Sequence, residues 1–185
     1  MSSASRKKVI LRRNRSAGQA EVLPGYLPFS GFVRNRALDL LDLSGHVIPV
    51  ALNDIKLISY VRDFNLTDTV NPERLTRRTF LARPRTEGLW LRLTFAAGDQ
   101  LEGLAPTDIS LLDDLVNDAG LFLTPPDTRS NTQRIYVPRT SIAELTLLAV
   151  ITSPSKKKPT PTGGGGTSPQ QDLFNLDLPP NARPN

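Results

Sequence analysis

Two groups of basic side chains carry the clearest chemical potential in this sequence. Arg6, Lys7, Lys8, Arg12, Arg13 and Arg15 form an N-terminal arm, and Arg74, Arg77, Arg78, Arg83 and Arg85 form a second cluster. Cations that neutralise phosphates release condensed counterions, which produces a salt-sensitive attraction to nucleic acid of any sequence. Tyr26, Phe29, Phe32, Phe80 and Trp90 are interleaved with these cations, and single-stranded bases stack on aromatic faces. The expected nucleic-acid contacts are therefore Lys7, Lys8, Arg12, Arg13, Arg74, Arg77 and Arg78. The competing reading is a solvated basic surface over aromatic residues that belong to the core.

Residues suited to catalysis are sparse. His46 is the one histidine; it follows Gly45 in an apparent hairpin turn, with no serine and carboxylate arrangement beside it. Asp113, Asp114 and Asp118 lack the alternating ligand spacing and the glycine of a calcium loop. Gly163 to Gly166 is followed by neither Lys-Ser nor Lys-Thr and reads as a flexible linker, not a phosphate loop. There is no cysteine, which removes disulfides, thiolate metal sites and thiol nucleophiles. The expectation is a non-enzymatic chain that needs no cofactor or metal.

Charge is uneven. Residues 1 to 88 hold fifteen basic and eight acidic side chains, and residues 89 to 185 hold eight and ten. The basic N-terminus contains no apolar run of the length that a signal peptide or membrane span requires, so a cytoplasmic, non-secreted protein is expected.

The elements that must position these residues are mainly strands. Leu89, Leu91, Leu93 and Phe95 alternate with Trp90, Arg92 and Thr94, the period of two of a half-buried strand. Similar short runs recur at Val9 to Arg13, Gly25 to Leu27, Ala37 to Leu43, Val47 to Ala51, Ile55 to Val61, Gln100 to Ala105, Leu121 to Thr124, Arg134 to Val137 and Ile142 to Ile151. They are punctuated by Ser44-Gly45, Asn53-Asp54, Gly98-Asp99 and Pro125-Pro126. One short helix is expected at Pro72 to Arg78, with Asn71 as its N-cap and Pro72 in its first position. The two halves also overlay: Val50, Ile55, Ile58 and Tyr60 share the mutual spacings of Val137, Ile142, Leu145 and Leu147. The expected organisation is a first small β-barrel at 7–61, a basic linker with the helix at 62–88, a second barrel at 89–151 and a tail at 152–185.

The second half resembles the Sm-like (Hfq-like) family of small β-barrels. Phe95 to Gly103 looks like that family's first motif, an apolar strand, a turn glycine and a second glycine five residues later. Val137-Pro138-Arg139-Thr140-Ser141-Ile142, with Leu145, looks like the second motif and its tight turn. The likeness covers about residues 89 to 151 and, more weakly, 7 to 61. It implies five-stranded Sm or SH3-like barrels and RNA binding, with Arg139 as the one basic residue at a family binding position. The Lys-His pair of the Hfq turn is missing. The chain also resembles a bacterial domain family that occurs alone or beside regulatory modules.

The tail from Ser153 is rich in Pro, Thr, Gly and Ser and is expected to be disordered. Within it, Gln170-Gln171-Asp172-Leu173-Phe174 resembles the short peptide by which bacterial replication and repair proteins bind the sliding clamp. Gln170, Asp172, Leu173, Phe174 and Leu176 are thus candidate partner-docking residues. The functional expectation is a regulatory module that binds RNA or single-stranded nucleic acid. The alternative is a protein–protein adaptor using barrel edges and the tail peptide, with homo-oligomerisation open to both.

Overall fold

The alternating apolar runs become strands in the computed structural model, which describes residues 5–14, 22–108, 111, 120–127 and 129–152. These residues contain β1 (Arg6–Arg13), β2 (Val22–Pro28), β3 (Val33–Arg34), β4 (Ala37–Asp42), β5 (Val47–Ala51) and β6 (Ile55–Val61). They continue with β7 (Gly88–Phe95), β8 (Gln100–Ala105), β9 (Gly120–Leu123), β10 (Thr132–Pro138) and β11 (Ile142–Ile151). One-turn 3-10 segments, Leu52–Asp54 and Arg139–Ser141, join β5 to β6 and β10 to β11. The described residues, 5–152, fall within one unit. Among the described residues no helix is long and apolar enough to cross a membrane.

All pairing is antiparallel. The larger sheet runs β3-β4-β2-β1-β6-β10-β9, with β5 also paired to β4, and the smaller runs β11-β7-β8. A bridge between Leu104 and Thr124 links β8 to the end of β9. Closed barrels were the expectation, yet among the described residues no pairing closes either sheet on itself. The reason is visible at β6. One of its edges bonds β1 and the other bonds β10, so neither is left to meet β5.

Burial follows the pleat. In β7, Leu91, Leu93 and Phe95 are buried while Trp90, Arg92 and Thr94 are partly exposed. Two apolar cores result. Val9, Leu11, Leu27, Leu38, Leu40, Ile55 and Ile58 dominate one; Leu91, Leu93, Phe95, Leu101, Leu121, Leu123, Ile135 and Val137 dominate the other. Strands β6 and β10 stitch the cores together by exchange. Leu57 of β6 enters the second core and Tyr136 of β10 enters the first. Apolar area removed from water stabilises at about 25 cal/mol per Å2, and sharing residues across the seam lets each small core bury more than it could alone.

The helix expected at Pro72 to Arg78 does not form; these residues make a single turn and then an irregular segment. Asn71 still organises a turn, because its side chain accepts the Leu75 N–H at 3.0 Å and its carbonyl accepts the Arg74 N–H at 2.9 Å, but a helix N-cap side chain would accept from Glu73 or Arg74 instead. Tertiary contacts then turn the chain away from a helix. Arg74 adopts a φ of +49°, which a right-handed helix does not contain. The Glu73 carbonyl, which a helix would direct along its own axis, accepts instead from Thr132 Oγ1 at 2.9 Å.

Candidate nucleic-acid interface

The cations read from the sequence separate into distinct environments. Arg12 on β1 donates from Nε and Nη2 to the two oxygens of Glu73 at 2.7 and 2.8 Å, and from Nη2 to the Val70 carbonyl at 2.6 Å. Lys8 donates to Asp63 at 2.7 Å, Arg74 to Asn65 at 2.8 Å and Arg78 to Asp99 at 2.8 Å. Arg139 lies in the second 3-10 segment and donates to the Ile142 carbonyl at 3.3 Å. Arg13 is partly buried at the irregular end of the β1–β6 ladder. Lys7 is exposed on β1. Arg77 is exposed beside a 270 Å3 groove whose walls include Phe80, Arg83, Arg85, Pro125 and Pro126. These eight residues do not share one face of the molecule; Arg12, Lys8 and Arg78 pin residues 62–88 or join them to the sheets.

Glu102 and Asp99 are the acidic anchors of that pinning. The Glu102 side chain is 3% exposed and accepts from the Phe80 N–H at 2.9 Å, Trp90 Nε1 at 3.2 Å and Arg92 at 3.0 and 2.7 Å. Burial pushes its carboxyl upward, but these donors outweigh burial and hold it below the usual carboxylate range. Asp99 shows the same balance: burial raises it, and hydrogen bonds and charge from Lys56 and Arg78 bring it below the ordinary value. A carboxyl depressed in the folded state adds stability that is complete above its unfolded pKa and is lost as pH falls through its folded pKa. The urea midpoint, followed by Trp90 fluorescence, is therefore expected to fall on acidification below about pH 4. Asp99→Asn should flatten part of that decline.

A different set of side chains lines a cleft backed by a cluster of aromatic rings. Arg6 of β1 and Arg34 of β3 flank a cleft of about 580 Å3, whose walls also include Ser5, Pro28, Gly31, Phe32 and Asp39. The loop from Pro28 to Phe32 forms one side of it. That loop is held by Tyr60, whose hydroxyl donates to the Pro28 carbonyl at 3.1 Å. Burial pushes this hydroxyl far above the usual tyrosine range, with Arg134 opposing, so it remains a neutral donor. Phe29 is 45% exposed and packs 5.3 Å from Tyr60, while Phe32 meets Tyr136 edge-on at 5.1 Å and Phe122 at 6.0 Å. The Arg134 guanidinium lies 3.7 Å from the Phe122 ring centre and 4.8 Å from that of Phe29, within cation–π range.

Reasoning from the sequence named Phe29 and Phe32 but missed Arg6 as a contact in its own right, and missed Arg34 and Arg134. The signal for Arg34 was Asn35. Asn35 and Arg36 have φ of +50° and +59°, the left-handed pair of a tight hairpin that asparagine favours, and this turn carries Arg34 to the cleft. His46 sits in an exposed turn with Nδ1 3.9 Å from Asp42. Asp113, Asp114, Asp118 and the tail residues Gln170, Asp172, Leu173, Phe174 and Leu176 lie outside the described residues.

Fold and surface together define a mostly β protein of open antiparallel sheets, with an arginine-lined cleft beside an aromatic cluster. The chain belongs to the family described as a family of unknown function, DUF6982, whose model matches residues 5–149. No curated protein and no solved structure matches it.

Proposed function

We propose that this chain is a non-enzymatic binding module that holds RNA or single-stranded DNA on the cleft between Arg6 and Arg34. The observation that supports it is that Arg6 and Arg34 line one cleft with Pro28, Gly31 and Phe32, and that Phe29 of the same loop is exposed and stacks with Arg134. Cations track the phosphates, and a ring with free surface offers a platform to a base of any identity. The cleft volume falls in the range of pockets for small ligands, about 300–1,000 Å3, which suits one or two nucleotides and not a duplex.

We further read the body as a tandem of two Sm-like units. What supports this is a recurring order of pairing. The first half runs β6-β1-β2-β4-β5 and the second runs β11-β7-β8, then by the Leu104–Thr124 bridge to β9 and on to β10. In each half a one-turn 3-10 segment precedes the last strand. Two glycines occupy matching places. Gly25 opposes Val9, which opposes Tyr60; Gly103 opposes Leu91, which opposes Leu147. A Cβ on Gly25 would lie 2.6 Å from the Leu41 carbonyl oxygen, and one on Gly103 would lie 2.8 Å from Leu123 Cβ. Both positions are therefore closed to larger residues, because the next strand in its half crosses too near.

The test is a fluorescence-anisotropy titration of the full chain against single-stranded RNA, single-stranded DNA and duplex DNA of equal length, repeated over a salt series. Micromolar binding to the single strands that weakens steeply with salt, and weaker binding to the duplex, is the expected result. No binding to any of them at low ionic strength would end this reading.

A further inference from the structure

The 270 Å3 groove beside Arg77 lies between residues 77–86 and a wall made by Leu104 and residues 124–126. It shares no described lining residue with the cleft between Arg6 and Arg34. Both of its sides are fixed. On one side the Arg78 carbonyl accepts the Glu102 N–H at 2.7 Å, the Phe80 N–H donates to the Glu102 carboxylate at 2.9 Å, and the Phe80 ring meets Trp90 edge-on at 5.7 Å. The chain is held again at Gly88, which opens β7 with a φ of +149° and where a Cβ would lie 2.7 Å from the Ala105 carbonyl oxygen. On the other side Leu104 and Thr124 exchange two backbone hydrogen bonds, at 3.0 and 2.9 Å, and Pro125 and Pro126 follow with φ set by their rings.

Between its two anchors the stretch 81–86 belongs to no helix or strand and makes no hydrogen bond among the described residues. All of it except Pro84 is exposed. Pro84 disfavours helical backbone at Arg83, so the middle of the stretch is biased to an extended course whose N–H and C=O groups are open to a second chain. Side chains give the groove two characters. Its floor is apolar: Pro84, Leu104 and Pro125 are buried, Phe80 is half-buried, and Leu81 stands at the rim, 78% exposed. Its rim is cationic: Arg77, Arg83 and Arg85 are exposed, and none of the described lining residues is acidic. Asp127, beyond Pro126, interacts with Arg77 by charge; Arg83 and Arg85 have no hydrogen bond or ion pair among the described residues.

The volume falls below the roughly 300–1,000 Å3 of pockets that enclose a whole small ligand, which suits one or two side chains projecting from a longer segment. A base would find no free platform, because the aromatic ring of the groove is engaged by Trp90 and the other apolar walls are aliphatic. We propose that this groove docks an extended, acidic segment of a partner protein, whose aliphatic side chains enter the apolar floor and whose flanking Asp or Glu carboxylates pair with Arg83 and Arg85. A guanidinium offers a carboxylate two parallel hydrogen bonds, and the open backbone of residues 81–86 supplies the main-chain hydrogen bonds by which extended peptides are held. Fully extended, that stretch spans about 20 Å, so the docked segment is about six residues long.

Fluorescence anisotropy on the full chain tests this with the labelled peptide Glu-Glu-Leu-Asp-Leu-Glu-Glu. Two control peptides accompany it, one with every acidic residue replaced by lysine and one with both leucines replaced by serine. Saturable binding of the probe is expected, with each control weaker by roughly tenfold or more. Arg83→Glu with Arg85→Glu should weaken the probe by roughly tenfold or more and Leu81→Ser by roughly threefold, at an unchanged urea midpoint, since these side chains are exposed. Arg6→Glu/Arg34→Glu should bind the probe as the wild type does, and Arg83→Glu/Arg85→Glu should bind single-stranded oligonucleotide as the wild type does, so failure at the groove and failure at the cleft are distinguishable. Absence of saturable probe binding would overturn the proposal. So would a serine control that binds as well as the probe, which would reduce the groove to a charge patch, or an Arg83→Glu/Arg85→Glu chain that loses oligonucleotide affinity and keeps the probe.

Discussion

Replacing Arg12 with alanine is expected to destabilise the chain by about 3–5 kcal/mol, the usual consequence of breaking a buried ion pair from one side. The guanidinium grips both oxygens of Glu73, and the two side chains are only 16% and 3% exposed. Without the cation, a carboxylate remains buried with no counter-charge, next to a carbonyl already committed to Thr132. The same physics identifies a rescue. Arg12→Met combined with Glu73→Leu removes both charges while keeping volume, and should recover most of the loss. Urea unfolding followed by Trp90 fluorescence measures both variants. A cost below about 1 kcal/mol, the worth of an exposed pair, would show that water reaches this site freely.

Charge reversal at Arg6 and Arg34 should act in the opposite way, on binding and not on stability. Both side chains are exposed, and neither has a hydrogen bond or ion pair among the described residues, so their loss removes no fold contact. If each contacts one phosphate, Arg6→Glu with Arg34→Glu should weaken single-strand binding roughly tenfold or more at low ionic strength. The slope of log K against log salt should shrink by about 0.7 for each contact removed. Asp39 already lies in the cleft wall, and two added carboxylates beside it would turn a cationic cleft anionic.

The contrast between Arg12 and Arg34 explains how far the sequence could be read. Strand positions were legible because alternation is a local signal. The bounds expected for Val47 to Ala51, Ile55 to Val61, Gln100 to Ala105 and Ile142 to Ile151 are those of β5, β6, β8 and β11. β3 escaped because two residues are too few to alternate. The helix after Asn71 failed because distant partners, Arg12 and Thr132, take the Glu73 carboxylate and carbonyl. Closure failed to be legible for a related reason: nothing local in Ile55 to Val61 announces that β10 will take its second edge.

Charge clustering along the chain was the weakest guide to the site. Lys8, Arg12 and Arg78 each find an acceptor far away in sequence, at Asp63, Glu73 and Asp99. Arg6 and Arg34 sit in separate runs and meet because β1 pairs with β2, β2 with β4, and β4 with β3. A cation's use depends on the nearest carboxylate in space, and only the register of the sheet supplies that.

The cleft's role is tested most directly by one anisotropy experiment on three proteins: the wild type, Arg6→Glu/Arg34→Glu, and Arg12→Met/Glu73→Leu. Each is titrated with the same labelled single-stranded oligonucleotide across a salt series. Wild-type and Arg12→Met/Glu73→Leu chains should bind alike, while Arg6→Glu/Arg34→Glu loses affinity and salt dependence at unchanged stability. Equal affinity in all three, or loss confined to the Arg12 variant, would contradict the assignment of that surface.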